Sequence, residues 1–207
     1  SAPVDADKYQ AYLGHTSMIL GCWFVLSGPS LNATLKLTAF FPPLYPDEAR
    51  RASLTLTSST GSHERAFCDM YSSVWACTFR VSDLRHSDGP WTYSVTYRSN
   101  PSDPATDHAY AGIVPLPADD PVIVNVGCVG PDNTKNKSSL VMAVLNASAD
   151  LVWFSGDQTY EHDNLQYGVL ELVYTTSAVS QNTPTLVSMD DHDLGLGNVY
   201  GAGADAG

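Results

Sequence analysis

The 207-residue chain is poor in basic residues, which number 10 against 22 acidic ones. Its formal net charge at pH 7 is −12. Proteins that bind nucleic acids contact the phosphates through Lys and Arg, so this charge argues against a nucleic-acid partner. The longest nearly apolar run, residues 17–26, is shorter than the roughly 20 residues that a membrane-spanning helix needs. The sequence therefore predicts neither a nucleic-acid-binding protein nor a membrane span.

Basic residues are absent from residues 138–207, which carry nine acidic residues and a net charge of −9. Residues 1–137 hold 13 acidic residues and all 10 basic ones. Uncompensated carboxylates repel one another in a folded segment. Either a bound cation or simple exposure to water relieves that repulsion, and the charge pattern alone does not choose between them.

Cysteine is also scarce, with four residues: Cys22, Cys68, Cys77 and Cys128. Cys68 and Cys77 flank a short segment that can form the tip of a hairpin. A disulfide closing this loop is geometrically reasonable and would stabilise the fold by about 2–3 kcal/mol. The alternative is two buried free thiols. A bridge between Cys22 and Cys128 is a further possibility, and it would remove the Cys128 thiolate as a metal ligand.

The chain has no initiator methionine, since it begins at Ser1, and we expect that a leader has been removed. A low lysine content and many Ser, Thr and Tyr residues fit an extracellular protein. Three N-x-S/T sequons place candidate glycan acceptors at Asn32, Asn136 and Asn146. These features together predict a secreted or extracellular glycoprotein, in which the Cys68–Cys77 disulfide would be stable.

Short segments of strand-like sequence run from residue 16 to about residue 117. Residues 32–40 and 91–97 show most clearly the period-2 alternation of half-buried strands. About seven short strands at this spacing predict an immunoglobulin-like β-sandwich, which we assign to residues 1–118. The histidines of this region are scattered and are expected in solvated loops. The expected strands cover residues 17–26, 33–41, 52–57, 65–70, 74–81, 91–98 and 110–114.

The pattern changes at residues 115–121, and we assign residues 119–207 to a second domain. A β-α-β-α-β order follows, which implies right-handed crossovers and parallel strands. The carboxyl ends of such strands share one edge of the sheet, where ligands bind in open α/β sheets. The expected strands cover residues 121–126, 150–155 and 184–189, and the expected helices cover residues 138–147 and 164–179.

Each turn after these strands offers a group that binds a metal when deprotonated. Cys128 offers a thiolate, Asp157 and Asp191 offer carboxylates, and Tyr160 offers a phenolate. Together they suit ferric iron or a mixed pair with a divalent ion. Each also has a structural interpretation: Cys128 as a small buried apolar residue, Asp157 as a turn cap, Tyr160 as a core ring, and residues 190–193 as a solvated acidic turn.

Several motifs in this segment match a known family. Gly156-Asp157-Gln158-Thr159-Tyr160 and Asp190-Asp191-His192-Asp193, followed by the glycines of residues 195–203, resemble the PhoD-like (alkaline phosphatase D type) metallophosphatases. These belong to the calcineurin-like phosphoesterase superfamily. Gly127-Cys128 is similar to the first metal motif of the family, and Gly14-His15-Thr16 to the opening of its N-terminal β-sandwich. The resemblance extends over the whole chain.

The resemblance implies a function and a set of ligands. Cys128, Asp157 and Tyr160 would hold a ferric ion, and Asp157 and Asp191 would hold a second divalent ion such as calcium. His192 would contact the phosphate or the leaving group. The implied activity is the hydrolysis of phosphomonoesters or phosphodiesters by a secreted enzyme.

The chain departs from the family in one respect, because it ends before the later motifs that bring further histidine ligands to the second metal. Residues 119–207 therefore resemble only the first half of a phosphatase domain. The expected partner is the C-terminal half of the domain, or other protein chains, or a second copy, covering the edge at residues 184–207. The alternative is a non-catalytic extracellular glycoprotein or assembly subunit that reuses the fold without metal.

Overall fold

The structure, a computed structural model, describes residues 19–44, 48–71, 75–127, 137–158 and 165–188, together with Asp190. The first strands form two antiparallel sheets in the orders β1-β2-β5 and β4-β3-β6-β7. A β8-α1-β9-α2-β10 unit follows along the chain. This architecture confirms the predicted mainly β fold with an α/β portion. The strands of the sandwich are β1 (Gly21–Ser27), β2 (Ala33–Phe40), β3 (Arg51–Thr57), β4 (His63–Asp69), β5 (Ala76–Leu84), β6 (Trp91–Arg98) and β7 (Asp107–Val114).

Alternation of apolar and polar residues explains how the two sheets pack. In β6, Trp91, Tyr93, Val95 and Tyr97 are all buried, while the residues between them face outward. Because successive side chains of a strand point to opposite faces, this strand covers the core with one face and meets water with the other. The fourth strand, β4, pairs with β3. This arrangement differs from the constant-type immunoglobulin domain, in which the fourth strand belongs to the opposite sheet.

The predicted disulfide joins Cys68 to Cys77, with the two Cα atoms 5.8 Å apart. The segment between the two cysteines turns back on itself, as expected, with an antiparallel bridge between Tyr71 and Ala76. However, Cys68 lies in β4 and Cys77 in β5, which belong to different sheets rather than to one hairpin. The bond therefore connects the two layers of the sandwich. Cys22 is a fully buried free thiol, and Cys128 lies outside the described residues.

Removing this disulfide is expected to lower the free energy of unfolding. The sequence separation of its cysteines is 9 residues, and a loop of that size corresponds to about 2–3 kcal/mol in the chain-entropy description. Urea unfolding of the Cys68→Ala/Cys77→Ala variant measures the loss. Wild-type protein with its disulfide reduced is the matching reference, because it lacks the bond but keeps both cysteine side chains. Cys22→Ala is not a suitable control, because Cys22 is buried and its truncation opens a cavity. A change below about 1 kcal/mol would contradict the prediction.

Three short parallel strands build the sheet of the α/β unit in the order β10-β9-β8. Val152 and Phe154 of β9 are buried against Leu172 and Val179 of the second helix, so the helix covers one face of the sheet. The predicted β-α-β-α-β order and parallel pairing are confirmed. The elements are β8 (Ile123–Val126), α1 (Lys137–Asn146), β9 (Leu151–Phe154), α2 (Leu165–Ser180) and β10 (Thr185–Val187).

The end of α2 is held by two tyrosine hydroxyls of the sandwich. Tyr93 Oη donates to the Gln181 carbonyl at 2.9 Å, and Tyr110 Oη donates to the Ser177 carbonyl at 3.0 Å. The last carbonyls of a helix lack partners within the helix. The sandwich therefore supplies hydrogen bonds that satisfy the carboxyl end of α2.

The turn after α2 is also bonded to β7. Gln181 Nε2 donates to the Ala111 carbonyl at 2.6 Å, and the backbone N–H of Ile113 donates to Asn182 Oδ1 at 2.9 Å. Between these bonds lies Gly112, where a Cβ atom would press against the Gln181 carbonyl oxygen. The sandwich and the α/β unit thus meet in a polar, closely fitted contact. The division of the chain at residues 118 and 119 remains a prediction.

The buried tyrosines predict a loss of stability at alkaline pH. Burial raises the pKa of Tyr97, whose hydroxyl donates to the Ala49 carbonyl, to about 12. Burial likewise raises the pKa values of Tyr93 and Tyr110. Since the ordinary pKa is about 10, the unfolded chain loses these protons first, so the free energy of unfolding falls as the pH rises from about 10 to 12.

Spectroscopic titration of phenolate absorbance, run beside circular dichroism, checks this. We expect these three tyrosines to ionise together with the loss of structure. Tyr71, which is exposed, gives the control Tyr71→Phe, whose alkaline transition stays unchanged. Full ionisation of every tyrosine in a chain that is still folded would be inconsistent with the prediction.

Candidate functional site

The carboxyl ends of the three parallel strands lie at one edge of the sheet. The ladder continues one residue past β9 and β10, since Ser155 N donates to the Val126 carbonyl at 2.9 Å and Ser188 N donates to the Phe154 carbonyl at 2.8 Å. The turns after β8, β9 and β10 are therefore neighbours. We call this region the carboxylate edge and define it as Gly127, residues 155–158 and Asp190.

Gly156 brings two of these turns into contact. A Cβ atom at Gly156 would lie 2.7 Å from Asp190 Cβ, which leaves no space for a side chain. Its φ of +117° is also a conformation that L side chains rarely adopt. Asp157 follows with a φ of 55°, in the left-handed region that Asp and Asn tolerate better than most residues. The sequence Gly-Asp is thus what allows the turn after β9 to lie against Asp190.

Gln158 ties the ends of β8 and β9 together. Its side chain is 3% exposed, and its amide nitrogen donates to the Val126 carbonyl at 3.0 Å and to the Gly156 carbonyl. On the neighbouring turn, a Cβ at Gly127 would lie 2.8 Å from Ser155 Oγ. This role of Gln158 was not predicted from the sequence. A polar amide directly after a Gly-Asp turn that ends an apolar strand is the pattern that could have indicated it.

The structure describes one of the predicted metal ligands, Asp157, and places it on the carboxylate edge. Asp157 is half-buried, and its Oδ1 atom is shielded from solvent. The other predicted site residues, Cys128, Tyr160, Asp191 and His192, lie outside the described residues. Within the part of the chain that is described, no group of three or more His, Cys, Asp or Glu residues could hold a metal ion.

The donors that are described fit a cation in their chemistry. Asp157 and Asp190 present carboxylate oxygens, the ligand type that a hard cation such as calcium takes. They sit on adjacent turns in a segment without Lys or Arg. Gly127 and Gly156 admit no side chain between the strand ends. Whether these two carboxylates belong to a cation site is a matter for the proposal below.

The described histidines of the sandwich form no second site. The expectation that they lie in solvated loops is wrong for His63 and His108, which belong to β4 and β7. His63 Nδ1 is 3.0 Å from Thr57 Oγ1, and the His108 ring stacks on Tyr97 with a centroid distance of 6.5 Å. The two histidines lie on different strands, at opposite edges of the four-stranded sheet, and each contacts a neighbour within that sheet.

Comparison with known proteins gives a similarity in structure but none in sequence. No family model matches the chain, and no curated protein matches it. Among solved structures, the purple acid phosphatase PPD1 from yellow lupin (Lupinus luteus) seeds is similar, with 12% identity and a TM-score of 0.53 over 83% of this chain. The chain has a metallophosphatase-like fold. It spans 35% of the lupin phosphatase.

A second similarity is weaker. The β-glucuronidase of Parabacteroides merdae, solved with glycerol in its active site, matches at 8% identity over 77% of this chain and 22% of that chain. Its TM-score of 0.36 is too low to show a shared fold. The metallophosphatase-like fold, rather than any activity, is what the comparison establishes. Among the described helices of this fold, none is long and apolar enough to cross a membrane.

Proposed function

We propose that this chain is the N-terminal part of a secreted PhoD-like phosphoesterase, formed by the accessory sandwich and the first half of the phosphatase domain. The observation that carries the proposal is the contact between the Gly156-Asp157 turn and Asp190 at the carboxylate edge. The metallophosphatase-like fold supports it. The motifs at residues 156–160 and 190–193 give the PhoD-like assignment.

In this proposal Cys128, Asp157 and Tyr160 would hold a ferric ion, and Asp157 and Asp191 would hold a divalent ion such as calcium. When bound, the ions supply the positive charge that polarises a phosphoryl group. The protein's part is positioning: Gly156 and Gln158 hold the backbone turn that carries Asp157 at the end of β9. His192 would contact the phosphate or the leaving group.

One face of the small sheet supports the idea of an incomplete domain. Ile123, Trp153 and Leu186 are 55%, 41% and 44% exposed. The pairing of Trp153 with Leu186 puts these two on one face, and Ile123 shares it through Asn125, the partner of Trp153. Parallel sheets are usually covered on both faces. The C-terminal half of the domain is the partner that we propose for this face.

The alternative is a non-catalytic extracellular glycoprotein or assembly subunit, in which a second copy or another chain covers the same apolar face and no metal is bound. Exposed glycan acceptors are compatible with it, since Asn32 and Asn146 are both accessible, while Asn136 lies outside the described residues. Glycosylation and secretion remain predictions in either case.

A phosphatase assay with metal analysis tests the proposal. The 207-residue chain alone is expected to bind at most one transition metal ion tightly and to leave phosphomonoesters and phosphodiesters intact, because Asp157 and Asp191 alone make a weak second site. The chain extended by its His-bearing C-terminal half is expected to turn both over. Hydrolysis of either substrate by the isolated chain would contradict the proposal that its metal site is incomplete. An extended protein that binds no metal and has no phosphatase activity would favour the non-catalytic glycoprotein or assembly subunit.

A further inference from the structure

A depression of about 580 Å³ lies on the outer face of the four-stranded sheet, away from the carboxylate edge. Its volume falls within the range of about 300–1,000 Å³ that is typical of ligand sites. Small residues of neighbouring strands form its floor, because Ser53, Thr96 and Ala109 pair in one row across β3, β6 and β7. Ser53 Oγ and Thr96 Oγ1 are 2.6 Å apart. The floor is thus low and rich in hydroxyl groups.

An aromatic ring between two guanidinium groups forms one wall. Phe67 of β4 is 56% exposed, and the guanidinium carbons of Arg51 and Arg65 lie 5.1 Å and 5.8 Å from the centre of its ring. Arg65 precedes Phe67 by two residues on β4, whereas Arg51 pairs with Asp69, two residues beyond Phe67. The two cations therefore reach the ring from opposite ends. Packing on an aromatic ring orients a guanidinium and leaves its N–H groups free to bind an anion.

The positive charge of this wall is incompletely balanced. Arg51 has Asp69 at 3.9 Å, and Arg98 donates through two nitrogens to both carboxylate oxygens of Asp107. Arg65 makes no ion pair with any described residue. Three guanidinium groups and one carboxylate, that of Asp107, line the depression, so its charged residues sum to a net positive charge in a chain of net charge −12. That local positive charge favours an anionic ligand.

We propose that this face binds an acidic oligosaccharide, one whose sugars carry carboxylate or sulfate groups. Guanidinium forks pair with such anions, the hydroxyl floor suits a polyhydroxylated chain, and the Phe67 ring offers apolar area for sugar C–H groups. An extended acidic peptide is a poorer match, because peptides add along a strand edge through main-chain bonds, whereas this depression opens on the face of the sheet, where side chains form its floor and wall.

Binding of oligogalacturonate to the whole 207-residue chain, measured by calorimetry at low salt, tests the proposal. Arg65→Gln is expected to weaken binding about tenfold or more, because it removes a charge-assisted hydrogen bond to the ligand. Added salt weakens binding as well. The control is Arg80→Gln, which removes the same charge from an exposed position of β5 in the other sheet. It is expected to leave affinity unchanged.

A neutral maltooligosaccharide of the same length is expected not to bind. Equal binding of the neutral sugar, no binding of oligogalacturonate and of a sulfated dextran oligomer, or an equal loss in Arg80→Gln would each overturn the proposal. Sedimentation velocity tests whether the chain self-associates; self-association that Arg65→Gln abolishes would overturn the proposal and assign this face to a second copy of the chain.

Because Arg65 is exposed, the Arg65→Gln variant is expected to keep the wild-type Tm. If its Tm falls, Phe67→Leu gives the same test of binding.

Discussion

Asp157→Asn, made in the protein that includes its C-terminal half, is expected to lower phosphatase kcat about a thousandfold. Asp157 is the residue that our proposal gives to both ions, and metal-derived charge stabilisation is worth several kcal/mol, each 1.36 kcal/mol being a factor of ten in rate. Asparagine keeps the size of the side chain and tolerates the left-handed φ of 55° at this position. The substitution therefore tests the carboxylate charge with little change in the turn.

Metal content and kcat should fall together in Asp157→Asn, while the circular dichroism spectrum stays that of the wild type. Asp119→Asn is the matched control, because Asp119 is an exposed acidic residue of the connecting segment. It is expected to retain full activity and metal. Unchanged turnover in Asp157→Asn would remove Asp157 from the proposed site and, with it, the PhoD-like ligand set.

Gly112→Val is expected to destabilise the contact between the sandwich and α2 by about 3 kcal/mol. A Cβ at Gly112 would press on the Gln181 carbonyl oxygen and lie 2.7 Å from Tyr93 Oη. Overpacking costs about 1–3 kcal/mol, and the displaced turn would also lose the hydrogen bond between Tyr93 and Gln181. Urea unfolding measures the change, and limited proteolysis reports whether the α/β unit opens first.

Ala111→Val is the neighbouring control. Ala111 lies on the same strand, but its side chain is exposed on the opposite face of the sheet, so a larger side chain has space. Its free energy of unfolding is expected to stay within about 0.5 kcal/mol of the wild type. Equal stability of the Gly112 and Ala111 variants would show that the close fit at Gln181 contributes nothing.

The sequence predicted best those elements whose signal is local. The strand expected at residues 91–98 coincides with β6 (Trp91–Arg98). Its large apolar residues alternate with polar ones at every second position, which is the period of a β-strand and not of a helix. The parallel strands β8, β9 and β10 were predicted equally well in order and direction, since apolar segments separated by helical ones leave few topologies.

Features that depend on pairing between distant strands were not predicted. The disulfide was expected from spacing, yet its role as a link between sheets depends on β4 pairing with β3. At the carboxylate edge, the sequence identified Asp157 as a candidate but not the contact of Gly156 with Asp190. That contact is set by the register of β9 against β10, which no local pattern encodes. The hydrogen bonds of Tyr93 and Tyr110 to α2 are equally non-local.

The bonds between β7 and the turn after α2 have an evolutionary consequence. Gln181 and Asn182 stand shortly before β10, which begins at Thr185 and leads to Asp190. The sandwich therefore holds the turn from which the third strand departs, while the pairing of β10 with β9 sets the place of Asp190 beside Asp157. A domain exchange that preserved the connecting segment but altered β7 would remove the bonds that hold this turn. Substitutions at Ala111–Ile113 and at Gln181–Asn182 are accordingly expected to depend on one another, because each side of this contact is shaped by the other.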